Sequence, residues 1–149
     1  MGMRSKDYDE YQMINRQKIA SRTMIITFLL VFINGIVSNK YDWARPLTQA
    51  LIILVLATGY FVTCAIFKNA YWRRKEKNPY VNMLLLALVG ILNIVQFFSN
   101  LSFFGRAHPI NDGKFGDGIT SLVAGAYFLY ISVIFLIKIL LERRHNDDE

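Results

Sequence analysis

Charged and apolar residues are segregated along the 149-residue chain. Four windows contain no Asp, Glu, Lys or Arg, and they are 17, 22, 28 and 20 residues long. About 20 apolar residues, each rising about 1.5 Å along a helix, are enough to cross roughly 30 Å of hydrocarbon. The pattern therefore predicts four transmembrane helices, at about residues 19–37, 47–67, 81–104 and 119–141.

A soluble four-helix bundle is the alternative, and it would need a polar face on every helix. The segment from Leu51 to Phe67 has no such face. Between Leu47 and Phe67 the chain carries eleven Leu, Ile, Val or Phe residues. On a membrane-insertion scale these favour the bilayer by roughly 3–7 kcal/mol. We therefore expect an all-α integral membrane protein, folded as an antiparallel bundle of four transmembrane helices in one domain that covers residues 1–149.

The distribution of Lys and Arg predicts the orientation of this bundle. The N-terminal segment, the loop between spans two and three and the C-terminal end together contain thirteen Lys or Arg residues. The other two loops together contain four. Because cytoplasmic flanks of membrane proteins are enriched in these residues, both termini are predicted to be cytoplasmic, in a multi-pass protein of the cell membrane. The N-terminal stretch DYDEYQMINRQKIASR is predicted to be a short helix that leads into the first span.

The composition argues against several classes of activity. No Asp, Glu, Lys, Arg or His lies in the middle of a predicted span, where proton-coupled carriers usually need one. The single cysteine, Cys64, lies in an apolar segment, and the two histidines lie in a loop and the tail. We therefore predict no catalytic residue, no metal site and no cofactor. The net charge of +6 is concentrated at the ends of spans, which argues against a nucleic-acid partner.

Span three carries a stripe of amide side chains. At 100° per residue its four members fall within an arc of about 60°. They are Asn82, Asn93, Gln96 and Asn100. An amide that faced lipid would leave donors and acceptors unpaired, so this amide stripe is predicted to face another helix. Packing within the chain, self-association or a partner helix, and a polar route for a solute all remain open.

Span four contains a candidate seam for close helix packing. Ser121 and Gly125 are four residues apart, and small residues at this spacing let two helix backbones approach closely. We expect the seam to pack mainly against another helix of the same chain.

A cationic patch follows span two. Its members are Lys68, Arg73, Arg74, Lys75 and Lys77. Besides fixing the orientation, such a patch is predicted to bind anionic lipid headgroups, at about 1 kcal/mol per cation, or an acidic face of a cytoplasmic protein.

The motif Asp9, Glu10, Tyr11 and Gln12 precedes a basic lead into the first span. In this motif and in its layout the chain resembles uncharacterised small four-span membrane proteins of Gram-positive bacteria. Such proteins are often encoded beside small helix-turn-helix regulators, and the resemblance implies an accessory or regulatory role. It supplies no catalytic residue.

Two functions follow from these features. The first is a small non-enzymatic membrane protein that acts through helix or loop contacts, as an accessory or regulatory subunit with a membrane or cytoplasmic partner. The second is a small transporter or channel subunit that must self-assemble, because four helices with bulky apolar faces leave little room for a pore in one chain.

Overall fold

The computed structural model of the protein describes residues 10–68, 70, 79–102, 110–111, 114–115 and 118–147. Within these ranges it contains four α-helices and one short β-hairpin. The helices are α1 (Glu10–Lys40), α2 (Pro46–Phe67), α3 (Pro79–Ser102) and α4 (Gly118–Asp147). The hairpin consists of β1 (Ile110–Asn111) and β2 (Lys114–Phe115), which pair antiparallel.

Four helices in the described part of the chain are long and apolar enough to cross a membrane, by length and composition. This confirms the prediction of a helical chain with four segments of membrane-spanning length, and it indicates a multi-pass membrane protein. The segments with this character are Glu10–Lys40, Pro46–Phe67, Tyr80–Leu101 and Gly118–Leu141.

The first helix extends further toward the N-terminus than the span predicted at residues 19–37. The expected short leading helix and the span form one continuous helix of 31 residues. The leading segment is rich in Gln, Arg, Lys, Met and Ile, and it contains neither Gly nor Pro. Most of these residues are good helix formers, so nothing in this segment interrupts the helix before the apolar stretch begins.

The ends of α2 follow from its local sequence. Arg45 has an extended backbone, with φ −61° and ψ 149°, and Pro46 takes the first helical position, where its missing N–H costs little. At the other end, the N–H of Lys68 donates to the carbonyl of Cys64 at 3.1 Å, and the N–H of Ala70 donates to that of Ala65 at 2.8 Å.

The most extensive helix contacts are between α3 and α4, followed by those of α1 with α2 and of α2 with α4. Helices α2 and α4 are therefore central, and α1 and α3 lie outside them. Residues late in α1 contact residues early in α2, as in the hydrogen bond between Asn34 and Gln49. Ser132 in the middle of α4 donates to the carbonyl of Met83 early in α3, at 3.2 Å.

The buried core lies toward one end of the helices. Ile66 of α2 packs with Ile131 and Phe135 of α4, and Met83 and Leu86 of α3 pack against this cluster. A smaller cluster at the same end joins Ile19 of α1 to residues late in α2 and just beyond it, namely Ala65 and Ala70. The two clusters hold the start of α1 and α3 beside the end of α2 and α4.

At the opposite end, the β-hairpin packs on the short connection between α1 and α2. The backbone N–H of Phe115 donates to the carbonyl of Trp43 at 2.9 Å, and Phe115 also forms a bridge with Ala44. The rings of Trp43 and Phe115 meet edge to face, with centroids 6.1 Å apart, and Lys114 forms an ion pair with Asp42.

Candidate contact surfaces of the helices

The amide stripe of α3 lies beside the face that packs on α4, not within it. Gly90, which contacts α4, marks the centre of the packed face. At 100° per residue, the centre of the stripe is about 85° around the helix from Gly90. Asn82, Asn93 and Asn100 are half-buried, and Gln96 is exposed.

Two of these amides have hydrogen bonds or other interactions in the structure. Asn93 Nδ2 donates to the carbonyl of Val89 on its own helix, at 2.9 Å, and Asn82 also has an interaction partner. Among the described residues, no hydrogen bond joins the side chain of Gln96 or Asn100 to another group. The stripe therefore leaves amide groups free for a contact outside the described chain.

The positions of these amides along α3 determine their depth in a membrane. A helix of 24 residues is about 36 Å long, and its centre lies near Gly90. Asn93 is then about 4 Å and Gln96 about 8 Å from the centre, whereas Asn82 and Asn100 lie roughly 13–14 Å from it. If the centre of α3 lies near the bilayer midplane, Asn93 and Gln96 fall within the hydrocarbon, whose half-thickness is about 15 Å.

The candidate seam of α4 contains a close approach between two helix backbones. A Cβ atom built on Gly125 would lie 3.0 Å from the carbonyl oxygen of Gly90 and 3.2 Å from the backbone nitrogen of Ile94. Gly125 is buried, and Ser121, one turn earlier, is half-buried. Gly90 was not among the predicted contact residues, although a glycine in the middle of an apolar helix is a signal for close packing.

A second polar cluster, not predicted from the sequence, joins α1 to α2 near Lys40. Gln49 Oε1 accepts hydrogen bonds from Asn34 Nδ2 and Ser38 Oγ, each at 2.9 Å. Gln49 Nε2 donates to the carbonyl of Ala44 at 2.7 Å. Asn34 and Ser38 are one helical turn apart, and Gln49 lies near the start of the next helix. This spacing was the sequence signal that could have predicted the cluster.

Helices α2 and α4 are joined by two pairs of hydroxyl groups. The Tyr127 hydroxyl donates to Thr58 Oγ1 at 2.8 Å, and the hydroxyls of Thr63 and Tyr130 are also 2.8 Å apart. Each pair gives a tyrosine hydroxyl a partner on the neighbouring helix, so the pairs favour one register between the two helices.

The described cations are unequally distributed between the two ends of the bundle. Lys40, Arg45 and Lys114 lie at the end that carries the hairpin. The opposite end carries seven: Arg16, Lys18, Arg22, Lys68, Lys138, Arg143 and Arg144. Lys68 is exposed, and the other members of the predicted cationic patch lie outside the described residues, as does Asp9. Arg143 donates to the Tyr80 hydroxyl at 2.8 Å, which ties the end of α4 to the start of α3.

Comparison with known proteins adds no assignment. No protein-family model, no curated protein and no solved structure matches the chain. Among the residues that the structure describes, no group of three or more His, Cys, Asp or Glu side chains could hold a metal ion.

Proposed function

We propose that this protein is a non-enzymatic, four-span protein of the cell membrane that acts through helix and loop contacts, as an accessory or regulatory subunit. One observation carries the proposal. Gln96 is exposed on α3 at a depth that corresponds to hydrocarbon, and no described residue satisfies its amide. The accessory role itself follows from the resemblance to four-span proteins of Gram-positive bacteria.

An antiparallel arrangement of sequential helices is part of this proposal. It is supported by the contacts of early residues of α1 and α3 with late residues of α2 and α4, such as Ile19 with Ala65 and Tyr80 with Arg143. This arrangement brings the start of α1 and the end of α4 to the end of the bundle that carries most of the described cations. By the excess of Lys and Arg at cytoplasmic ends, we assign that end to the cytoplasm.

The energetics favour a partner for the amide stripe. An amide left unpaired in an apolar environment costs about 1–3 kcal/mol by protein mutational data. An amide pair between membrane helices contributes about 0.6–2 kcal/mol. A helix from another molecule that pairs with Gln96 therefore removes a cost and adds a bond. Lys68 and the rest of the cationic patch supply a second contact surface, for anionic headgroups or for an acidic partner.

The self-assembling transporter requires a pore between chains. Where α2, α3 and α4 meet, the space is filled by Ile66, Ile131 and Phe135, with Phe135 fully buried. A solute path through this region of a single chain would have to displace that core. The same amide stripe could line a path between copies, so the molecule that covers the stripe distinguishes the two functions.

Site-directed photocrosslinking in native membranes tests the proposal. The single native cysteine is first removed by Cys64→Ala, and a thiol-reactive benzophenone is attached at Val89→Cys or, as a matched control, at Val95→Cys. Val89 lies two turns before Gln96 on the same face of α3, so the probe leaves the Gln96 amide intact. Both valines are exposed, but they point about 120° apart around α3. We expect Val89→Cys to give one discrete protein adduct, identified by mass spectrometry, and Val95→Cys to label lipid.

The identity of the adduct separates the two functions. A different membrane protein supports the accessory role, and its recovery should fall about tenfold when Gln96→Leu is added to Val89→Cys, if the amide pair contributes about 1.4 kcal/mol. A second copy of the chain, together with solute flux in reconstituted vesicles, would replace the accessory role by the transporter. Lipid adducts alone at Val89 would refute a contact through the stripe.

A further inference from the structure

A cleft of about 750 Å³ runs along the surface between α1 and α2. Its walls include Val31 of α1 and Ile53, Leu54 and Phe61 of α2. Its position is distinct from the amide stripe, which lies on α3. Because α1 packs mainly on α2, the cleft lies at the periphery of the bundle.

The middle of the cleft is apolar even where threonines line it. Thr23 donates its hydroxyl to the carbonyl of Ile19, and Thr27 donates to that of Thr23, each at 2.8 Å. Thr58 donates to the carbonyl of Leu54 at 2.6 Å. Their hydrogen-bond donors are therefore used within the helices, and the threonine methyl groups add to the apolar lining.

One end of the cleft is polar. Asn34 and Gln49 line it there, and Gln49 lies about 5 Å along α2 from its first residue. Each primary amide has two N–H donors, and the hydrogen bonds that Asn34 Nδ2 and Gln49 Nε2 donate use one of each. The polar end thus offers amide N–H groups at the depth where lipid hydrocarbon meets headgroups.

The dimensions of the cleft select its occupant. Its α2 wall runs from Pro46 to Phe61, which is about 22 Å of helix. Dividing the volume by this length gives a cross-section of about 34 Å². An α-helix with side chains, 10–12 Å in diameter, needs roughly 80–110 Å². A single hydrocarbon chain, whose carbons approach their neighbours to about 4 Å, needs roughly 20 Å².

We propose that the cleft between α1 and α2 binds one acyl chain of a glycerophospholipid. The chain lies along Val31, Ile53 and Phe61, and the ester carbonyl accepts from the Asn34 or Gln49 amide. The cleft exceeds the roughly 15 Å that a chain of one leaflet covers, so the chain fits without bending. This inference rests on the membrane insertion proposed above.

Photolabelling of the full chain in phosphatidylglycerol vesicles tests this site. The probe is phosphatidylglycerol with a diazirine in one acyl chain, and labelled residues are mapped by mass spectrometry. We expect labelling to concentrate on residues that line the cleft. Ala50→Phe, at an exposed position in the cleft, should reduce this labelling at least fivefold by filling the space.

The control adds the same ring at a nearby site outside the cleft. Gly35 is exposed on α1, and a Cβ atom added there would meet no other atom within 4 Å, so Gly35→Phe should leave the labelling unchanged. Thr27→Phe fills the cleft from the α1 side and provides an independent variant if Ala50→Phe fails to fold.

Three results would overturn the assignment. They are uniform labelling of all lipid-facing residues, labelling that persists in both filling variants, and adducts between two copies through the cleft. A chain that is recovered without detergent would instead refute the membrane insertion on which the proposed function depends. The two failures are therefore distinguishable.

Discussion

Substitution of Gly125 by alanine should destabilise the contact between α3 and α4. The new methyl group would lie 3.0 Å from the Gly90 carbonyl oxygen and 3.2 Å from the Ile94 nitrogen, where ordinary contacts begin at 3.4 Å. Both are backbone atoms, so no side-chain rotation relieves the overlap. The helices must separate by about 0.4 Å at this close approach, which weakens dispersion contacts along the interface.

The expected magnitude combines two opposing effects. Overpacking of a well-packed site costs about 1–3 kcal/mol. Replacing a helical glycine by alanine stabilises the folded state by about 0.5–1 kcal/mol, because alanine loses less conformational entropy on folding. We therefore expect Gly125→Ala to lower the free energy of unfolding by up to about 2.5 kcal/mol, and by about 1 kcal/mol when the middle of each range is taken. At Gly59 the nearest atoms, on Tyr127 and Tyr130, are 3.7 and 3.8 Å away. Gly59→Ala should consequently raise the free energy of unfolding by up to about 1 kcal/mol.

The two variants can be compared by SDS titration in mixed micelles, with helix content followed by far-ultraviolet circular dichroism. Gly125→Ala should lower the free energy of unfolding, whereas Gly59→Ala should raise it. Equal shifts of both midpoints, or greater stability of Gly125→Ala than of the wild type, would refute the close approach of α3 and α4 at this position.

Two further predictions use the same titration. Gln49→Leu removes the acceptor for the half-buried side chains of Asn34 and Ser38 and should lower the free energy of unfolding by about 1–3 kcal/mol, because two hydrogen bonds between the helices are lost. Its neighbour Thr48 is fully buried, and its hydroxyl has no hydrogen-bond partner among the described residues. Thr48→Val should therefore leave the free energy of unfolding unchanged or raise it. A decrease in Thr48→Val as large as that in Gln49→Leu would contradict this prediction. Lys114→Ala breaks a largely exposed ion pair with Asp42 and should change the free energy of unfolding by less than about 1 kcal/mol. The effect should vanish at high salt, because salt screens exposed charges. A larger decrease that does not depend on salt would show that the hairpin depends on this pair.

The helices could be predicted from the sequence because a segment that crosses hydrocarbon must be apolar by itself, without help from the helices beside it. A segment such as Leu51 to Phe67 has to be apolar over its whole length, whichever neighbour it has. The extension of α1 to Glu10 was less evident, because polar residues also form helices where the chain leaves the bilayer.

The partners of each helix could not be predicted in the same way. Lipid is as apolar as a leucine side chain, so the apolar pattern does not distinguish a lipid-facing position from a packed one. The bond between Thr58 and Tyr127 joins residues 69 positions apart, and nothing near either residue specifies the other. The Gly90–Gly125 approach was visible as two glycines, but only the packing of α3 on α4 brings them together.

The length of α1 has a mechanical consequence. Thirty-one residues make a rod of about 46 Å, whereas the hydrocarbon layer is about 30 Å thick. A tilt of roughly 50° would be needed to immerse the whole rod, far above the average of about 20°. With the membrane insertion proposed above, the charged beginning of α1 lies in the headgroups or in water, and the same uninterrupted helix continues past Ile19, which packs against Ala65, to Asn34 and its bond with Gln49. The part of α1 outside the hydrocarbon is thus joined to these helix contacts without a flexible linker.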